Sequence, residues 1–321
     1  MDSVHEFAGV RMEQLVEQEQ VARVRAFNRR WTEILGLLDR GLLETDRSLA
    51  EARVLYELVE RPSWERVELR DRLGMDASFL TRVLARLQSA GLVRAERSPD
   101  DRRRRRVALT PAGRAAAVDL DERSAAQVSD LLTSLPQLLR RALVDALVTA
   151  GHVVAADAPS TVVVRDLGPG DLGWMVQRHG EVYAAEYGWD ETFEALVARI
   201  VADFRDGFQH GVEHGWIAEV DGARAGCVLC CRRDDQTAQL RILLVEPWAR
   251  GLGLGRRLVD ECVAFAVRAG YRSMVLWTND VLVAARRIYE AAGFALVDEE
   301  PHHSFGHDLV GQTWRLELGG P

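Results

Sequence analysis

Lysine is absent from this chain of 321 residues, and all 41 basic side chains are arginine. Acylation of the protein on a lysine of its own is therefore excluded. Uncharged apolar stretches of about 18 residues are absent too, which predicts a soluble chain that does not enter a membrane. The first residues, Met1 to Glu6, lack the basic start and apolar core of a signal peptide. We therefore expect a cytoplasmic location.

Cysteine is scarce, and its four positions do not form a disulfide framework in a chain of this length. The spacing of Cys227 and Cys230 occurs in zinc sites, but no second ligand pair follows at a workable distance. The segment around them has the pattern of a buried strand instead. Three clustered histidines also lack a carboxylate or cysteine partner at a familiar spacing, and we predict no metal site; they are His302, His303 and His307.

The length of the chain favours two domains. A small, weakly patterned segment from Gly151 to Ser160 predicts a boundary that separates residues 1–155 from residues 156–321. The formal net charge of −8 argues against indiscriminate binding of nucleic acid by the whole molecule. Charge is unevenly placed, however, because ten arginines and only four acidic residues lie between Asp76 and Arg114.

Two short helices joined by a tight turn are predicted within this basic segment. The first spans residues 65–73 and ends at Gly74, and the second runs from Asp76 to Ala90. Apolar residues of the second helix recur at helical spacing, which leaves a small, polar and basic face outward. That face could enter a major groove of DNA, and its predicted contact residues are Ser78, Thr81, Arg82 and Arg86.

An arginine-rich hairpin follows, with strands predicted at residues 92–97 and 104–109. Its tip carries Asp101, Arg102 and Arg103, which could lie along the phosphate backbone or in a minor groove, although a solvated charged loop is the alternative. With Thr110-Pro-Ala-Gly113 behind it, the first half, about residues 3–150, resembles MarR-type winged helix-turn-helix transcriptional regulators. The resemblance implies binding to double-stranded DNA and a homodimer formed by the first helix and two later helices, at about 114–132 and 136–150. The apolar residues of those later helices could equally serve an internal core.

A glycine-rich run in the second half, Arg250-Gly-Leu-Gly-Leu-Gly255, lies between a β-favouring segment and a helical pattern. Glycine at such a turn lets backbone N–H groups approach an anion, and the following helix N-terminus favours phosphate. Arg250 and Arg256 add positive charge. The spacing fits neither the dinucleotide fingerprint nor the P-loop. The glycine run, the helix that follows and the two arginines together predict a cradle for a pyrophosphate group.

Three motifs in order extend this prediction: Arg250-x-x-Gly-x-Gly, Val245-Glu-Pro247 before it, and Tyr289-Glu-Ala-Ala-Gly-Phe294 behind it. Residues 160–318 thereby resemble the GNAT family of acetyl-CoA-dependent N-acetyltransferases. The resemblance implies an α/β domain with a mixed, mostly antiparallel sheet. It also implies that the strand ending at Val245 splays from its neighbour and binds the pantetheine arm of acetyl-CoA through its backbone. The cofactor contacts expected on this basis are Leu243, Leu244, Val245, Arg250, Gly251, Leu252, Gly253, Leu254, Gly255, Arg256 and Asn279.

The expected reaction is direct attack of a neutral amine on the thioester. By resemblance, Tyr289 would protonate the departing thiolate, the alternative being an aromatic side chain that only packs a helix onto the sheet. Some relatives carry a general-base carboxylate where this chain has Gln239, which cannot act as a base. Glu246 is therefore a candidate base, the alternative being a solvated carboxylate at the end of the strand. Many members of the family carry Asn seven residues before this Tyr, a position that is Leu282 here. Asn279, three residues earlier, could substitute for it after a longer turn. Residues expected near the acceptor are His179, Glu181, Tyr183, Tyr187 and Trp189.

Three functions fit these patterns. The first is a bifunctional protein that binds DNA and acetylates an amine on a small molecule or a protein. The second is a non-catalytic regulator whose DNA affinity responds to acetyl-CoA or another metabolite. In the third, the enzyme is retained and the winged helix serves dimerisation only.

Overall fold

The computed structural model describes residues 2–37, 41–97, 105–154 and 161–319. Packing divides the chain into two units, Met1–Gln137 and Leu138–Pro321. The predicted boundary between residues 155 and 156 lies outside the described residues, and the packing places the helix before it with the second unit. His152 on that helix stacks on Trp248 at 5.1 Å, and its Nε2 lies 3.0 Å from Asp221.

The first unit is mainly helical, with a small sheet whose strand order is β1-β3-β2. The first helix ends at Ile34, and a 3₁₀ turn at Leu42–Glu44 follows. Strand β1 was not predicted, since two residues carry no periodic signal. The elements are α1 Asp2–Ile34, α2 Leu49–Glu60, β1 Trp64–Glu65, α3 Arg66–Leu73, α4 Ala77–Ser89, β2 Val93–Arg97, β3 Arg105–Leu109 and α5 Pro111–Thr133.

Local capping defines the helix ends in this unit. The Ser48 hydroxyl and the Glu51 carboxylate form a capping box at the start of α2. Thr110 caps α5 by accepting from the Gly113 N–H at 3.0 Å. A Cβ at Gly113 would lie 1.9 Å from the Leu92 carbonyl oxygen, so only glycine lets α5 approach the strand this closely.

The second unit is a seven-stranded sheet with helices on both faces, and its strand order is β4-β5-β6-β7-β8-β10-β9. All neighbouring strands are antiparallel except β7 and β8, which confirms the expected mixed, mostly antiparallel sheet. Strand β9 is exposed over most of its length. The elements are α6 Gln137–Val154, β4 Val162–Asp166, α7 Asp171–Tyr187, α8 Glu191–Asp206, β5 His214–Val220, β6 Ala223–Arg232, β7 Thr237–Val245, α9 Leu254–Arg268, β8 Ser273–Asn279, α10 Val283–Ala291, β9 Ala295–Ser304 and β10 His307–Glu317.

Two hydrophobic clusters cover the two faces of this sheet. Leu258, Val259 and Cys262 of α9 pack in one cluster, whereas Met175 and Val197 of α7 and α8 pack in the other. Within the described ranges, no helix is long and apolar enough to cross a membrane. Helices α9 and α10 therefore pack on one face of the sheet, and helices α7 and α8 pack on the other.

Candidate functional site

The sheet opens between its two parallel strands. Strand β7 pairs with β8 only from Thr237 to Leu240, yet it stays paired with β6 as far as Val245. A β-bulge interrupts the β6–β7 register at this point, and Ile242 takes a positive φ of 56° there. Cys227 Sγ donates to the Ile242 carbonyl oxygen at 3.3 Å. The splay expected for this strand is therefore present, and the bulge accompanies it.

The glycine-rich loop follows directly and leads into α9. Gly251 and Gly253 have φ values of 86° and 75°, in the left-handed region that favours glycine. No side chain caps the helix at Gly253, so the first N–H groups of α9 remain available to an anion. A Cβ at Gly255 would lie 2.7 Å from Ile288 Cδ1, which explains the third glycine by close packing against α10.

A cavity of about 440 Å³ lies against this loop, and we call it the loop cavity. Of the predicted cofactor residues, only Leu252 and Asn279 do not line it. Leu252 is partly exposed, and Asn279 lies elsewhere, as described below. The residues that do line it are Leu243, Leu244, Val245, Arg250, Gly251, Gly253, Leu254, Gly255 and Arg256.

Both arginines of the loop already have partners. Arg250 lies 2.8 Å from the Glu186 carboxylate. Arg256 contacts Asp260 at 2.7 Å and donates to the Ala291 carbonyl oxygen at 2.9 Å. Both side chains are about half exposed, so these surface pairs are weak and could be exchanged for phosphate oxygens. The backbone amides are thus the part of the loop that is free to bind an anion.

A second cavity of about 610 Å³ lies beside the first, and we call it the aromatic cavity. Its wall includes Trp189 and Phe193, whose rings are 4.6 Å apart. The two cavities share four lining residues, which are Tyr183, Leu243, Leu282 and Ala285. They therefore meet at the parted strands.

Two tyrosines lie close to this meeting point. Tyr289 is 5% exposed and lines the aromatic cavity, and its hydroxyl makes no hydrogen bond to the described residues. Burial raises the pKa of Tyr289 above its ordinary value of 10.0. Burial likewise raises the pKa of Tyr183, which lines both cavities. The sequence placed Tyr183 on the acceptor side but gave no sign of its position at the junction.

Glu246 does not occupy the position expected of a base. It is 3% exposed and lines neither cavity. Its two carboxylate oxygens accept from Nε and Nη2 of Arg178, at 2.6 and 2.8 Å. A carboxylate in such a buried bidentate pair is held by its counter-ion and is not positioned to accept a substrate proton. We therefore propose a structural role for Glu246 in place of the expected catalytic one.

Asn279 also differs from its expected role. The side chain lines the aromatic cavity and not the loop cavity, and its Oδ1 lies 2.9 Å from His302 Nε2. Burial to 1% exposure fixes it in that contact. Asn279, the last residue of β8, therefore points to His302 and not to the glycine loop.

His179 is a buried base that the sequence marked only as an acceptor-side residue. It is 3% exposed and lines the aromatic cavity. Its Nδ1 lies 2.7 Å from the Met175 carbonyl oxygen, which can only accept, so Nδ1 carries the proton. Burial lowers the pKa of His179 to about 4. The ring is therefore neutral near pH 7, with a lone pair on Nε2.

In the first unit, α4 presents the face that the sequence predicted for DNA. Ser78, Thr81, Arg82 and Arg86 are exposed, while Leu80, Val83, Leu84 and Leu87 are buried. The hydroxyl of Ser78 is bonded to the Asp76 cap, and Thr81 donates to the Ala77 carbonyl oxygen at 2.8 Å. The predicted hairpin residues Asp101, Arg102 and Arg103 lie outside the described residues.

All four cysteines are buried thiols. Desolvation by burial raises the pKa of Cys231 to about 12, so this thiol stays protonated near neutral pH. Among the residues that the structure describes, no group of three or more metal-ligating side chains was found. The cysteines act as small apolar side chains, three of them on β6 and Cys262 on α9.

Comparisons with known proteins address both units. The models of the Acetyltransferase (GNAT) family and of the MarR family match residues 178–294 and 45–104. An uncharacterized N-acetyltransferase of Schizosaccharomyces pombe is 32% identical over 144 residues, which are 41% of this chain and 80% of that protein. The N-acetylaspartate synthetase of Danio rerio is 36% identical over 85 residues, which are 26% of this chain and only 30% of that protein. A solved acetyltransferase from Salmonella typhimurium, in complex with its cofactor acetyl-CoA, has a TM-score of 0.42 and 20% identity and covers 49% of this chain and 94% of that one.

Proposed function

The chain belongs to the GNAT family of acetyl-CoA-dependent N-acetyltransferases and carries a MarR-family segment, and from this premise we propose that it is a DNA-binding regulator that acetylates an amine by direct transfer. The supporting observation is the junction of the loop cavity and the aromatic cavity at the parted strands. Bound acetyl-CoA supplies the activated acetyl group. The loop cavity would hold it through the amides of residues 251–256, and the aromatic cavity would hold the amine.

The backbone of β7 supplies a donor at the junction. The Glu246 N–H donates to the Ala225 carbonyl oxygen at 2.8 Å, toward β6. Because successive peptide groups of a strand point to opposite sides, the Val245 N–H points toward the gap. We assign to it the polarisation of the thioester carbonyl.

Two side chains of the aromatic cavity suit the proton transfers. Tyr289 keeps its proton at neutral pH because burial raises its pKa, and so it can donate to the departing thiolate. The neutral His179 offers its Nε2 lone pair as the acceptor of the amine proton. None of the described residues lining the cavity is Asp or Glu, so a histidine takes the place that a carboxylate has in some relatives.

The test is thioester cleavage by the full chain with a panel of amines, repeated with Tyr289→Phe. Loss of a general acid is expected to lower kcat by about 10²-fold or more. Tyr271→Phe is the matched control, because that hydroxyl donates to the Val212 carbonyl oxygen at 3.0 Å and lies outside both cavities. Tight acetyl-CoA binding with no amine acetylated would contradict the catalytic proposal and leave a metabolite-sensing regulator.

For the DNA-binding part, the support is the exposed basic face of α4, with Arg82 and Arg86 outside any ion pair among the described residues. Selection from a random pool of duplexes should return a two-fold symmetric sequence. The double variant Arg102→Ala and Arg103→Ala is expected to weaken binding and flatten its salt dependence by about 0.9 per lost phosphate contact. Failure to select any sequence would favour a dimerisation module instead.

The homodimer is proposed from exposed apolar side chains on the helices that relatives are expected to pair. Helix α6 has no buried residue among those described, and Leu138 is 83% exposed. Val24 and Phe27 of α1 are exposed as well. Analytical ultracentrifugation should give twice the chain mass, and Leu138→Glu with Leu139→Glu should shift it toward the monomer. A monomeric wild-type chain would contradict this assignment.

A further inference from the structure

The charge of the aromatic cavity is one-sided. Arg233 and Arg241 line it, and none of the described lining residues is acidic. Neither guanidinium forms an ion pair or a hydrogen bond in the described part of the chain. Arg241 is half-buried on β7, whereas Arg233 is exposed. Two unpaired cations at the wall of a cavity favour an anionic ligand.

The acidic residues next to Arg233 are bound elsewhere. Asp234 accepts from the Gln236 N–H at 2.9 Å, and Asp235 pairs with Arg232. The charge of Arg233 acts on Asp234 and contributes to lowering its pKa, but the two side chains form no ion pair among the described residues. The Arg233 guanidinium can therefore turn to a ligand.

Of the described residues, the one acid that acts on Cys231 together with Arg241 is Glu213, and it is also engaged. The Glu213 carboxylate accepts from the backbone N–H groups of Gln209 and Arg232, at 3.1 and 3.0 Å. Cys231, which lies close enough to Arg241 for its charge to act on the thiol, stays neutral because burial raises its pKa. No internal counter-ion for Arg241 is thus present among the described residues.

The distance from this charge to the junction suits a compact molecule. Arg241 and Leu243 lie two positions apart on β7, on either side of the bulged Ile242, so at most about 7 Å of backbone separates them. Leu243 lines both cavities. A ligand with its anionic group at Arg241 can therefore place another group at the junction.

Given the proposed acetyl transfer, on which this inference rests, we propose that the acceptor is a primary amine that carries a carboxylate, as in an amino acid. Arg241 and Arg233 bind the carboxylate, and the amine lies at the junction of the two cavities. The hydrocarbon part packs against Trp189 and Phe193. Arginine suits this role because its planar fork matches both oxygens of a carboxylate.

The experiment compares each amino acid with the amine that remains when its carboxylate is removed. Phenylalanine is paired with phenethylamine and leucine with isopentylamine, and kcat/KM is measured for the full chain. The carboxylate is expected to raise kcat/KM by about 10²-fold, mainly through a lower KM. Arg241→Ala should abolish most of that preference without changing the KM for acetyl-CoA. Arg272→Ala, which removes an exposed arginine that lines neither cavity, is the matched control and should keep it.

Equal or better turnover of the decarboxylated amines by the wild-type chain would overturn the proposal, as would an Arg241→Ala variant that keeps the preference. If no amine is acetylated although acetyl-CoA binds, the catalytic part of the proposed function fails. Calorimetric titration of phenylalanine and of phenethylamine into the CoA-bound protein then tests the carboxylate site without catalysis. Tighter binding of the amino acid that is lost in Arg241→Ala supports the carboxylate site, and equal or absent binding of both overturns it.

Discussion

Replacing His179 by asparagine should change the pH dependence of stability. An asparagine amide can keep the donor contact to the Met175 carbonyl oxygen, which Nδ1 now makes at 2.7 Å, but it does not titrate. The wild-type imidazole has its pKa lowered by burial from 6.5 to about 4. Between these values the unfolded chain binds a proton that the folded chain does not, so stability falls as the pH falls.

The magnitude follows from that interval. At pH 5 the wild-type chain should have lost about 2 kcal/mol of unfolding free energy relative to pH 8, since each pH step of one below 6.5 costs about 1.4 kcal/mol. The loss would reach about 3 kcal/mol near pH 4. All other titrating groups are common to both proteins, so the difference between wild type and His179→Asn should shrink by these amounts.

Urea unfolding followed by tryptophan fluorescence measures this difference. Six of the eight tryptophans lie in the second unit, and Trp189 packs against Tyr183 at 5.1 Å, close to His179. The signal therefore reports the unit that contains the histidine. A difference in unfolding free energy that stays constant from pH 8 to pH 5 would refute the assignment of His179 as a buried, neutral base.

Three further outcomes are expected. Glu246→Gln should lower the unfolding free energy by about 2 kcal/mol in a urea titration, because it weakens the buried pair with Arg178; loss of an ionisation from the pH profile of kcat, with stability unchanged, would restore Glu246 as a base. Alanine at both Arg82 and Arg86 should reduce the slope of log K against log salt in a DNA titration by up to about 2, and an unaltered slope with unaltered affinity would exclude this face. Gly113→Ala should destabilise the first unit by more than about 2 kcal/mol while acetyl transfer persists, since its Cβ would meet a backbone oxygen; calorimetric unfolding that shows no such loss contradicts that packing.

Sequence patterns were strongest where local chemistry determines the structure. The apolar stripe of α4 and the cap at Asp76 specify which residues of that helix are exposed, and the structure confirms the outward positions of Arg82 and Arg86. The glycine run likewise marks the start of α9, because only glycine readily adopts the positive φ of residues 251 and 253. Periodicity and turn chemistry act over a few residues and can be read directly.

The remaining site features depend on contacts between distant segments. Glu246 looks like a strand-end carboxylate until α7 brings Arg178 to it across 68 residues. Asn279 turns to His302 of a strand that the sequence barely marks. Tyr183 and His179 gain their positions from the packing of α7 against the bulged strand. No local pattern encodes such pairs, so the sequence predicts the position of the glycine loop but not which distant side chains pack beside it.

The most direct test of the central claim is calorimetric titration of acetyl-CoA into the full chain and into Gly253→Ala. Binding with about one site per chain is expected for the wild type, and weaker binding for the variant, because alanine strains the left-handed backbone at the start of α9 by about 1–2 kcal/mol. Gly270→Ala is the matched control, since residue 270 follows the other end of the same helix with a φ of 87°, and it should bind like the wild type. A folded wild-type chain that shows no binding of acetyl-CoA would contradict the account.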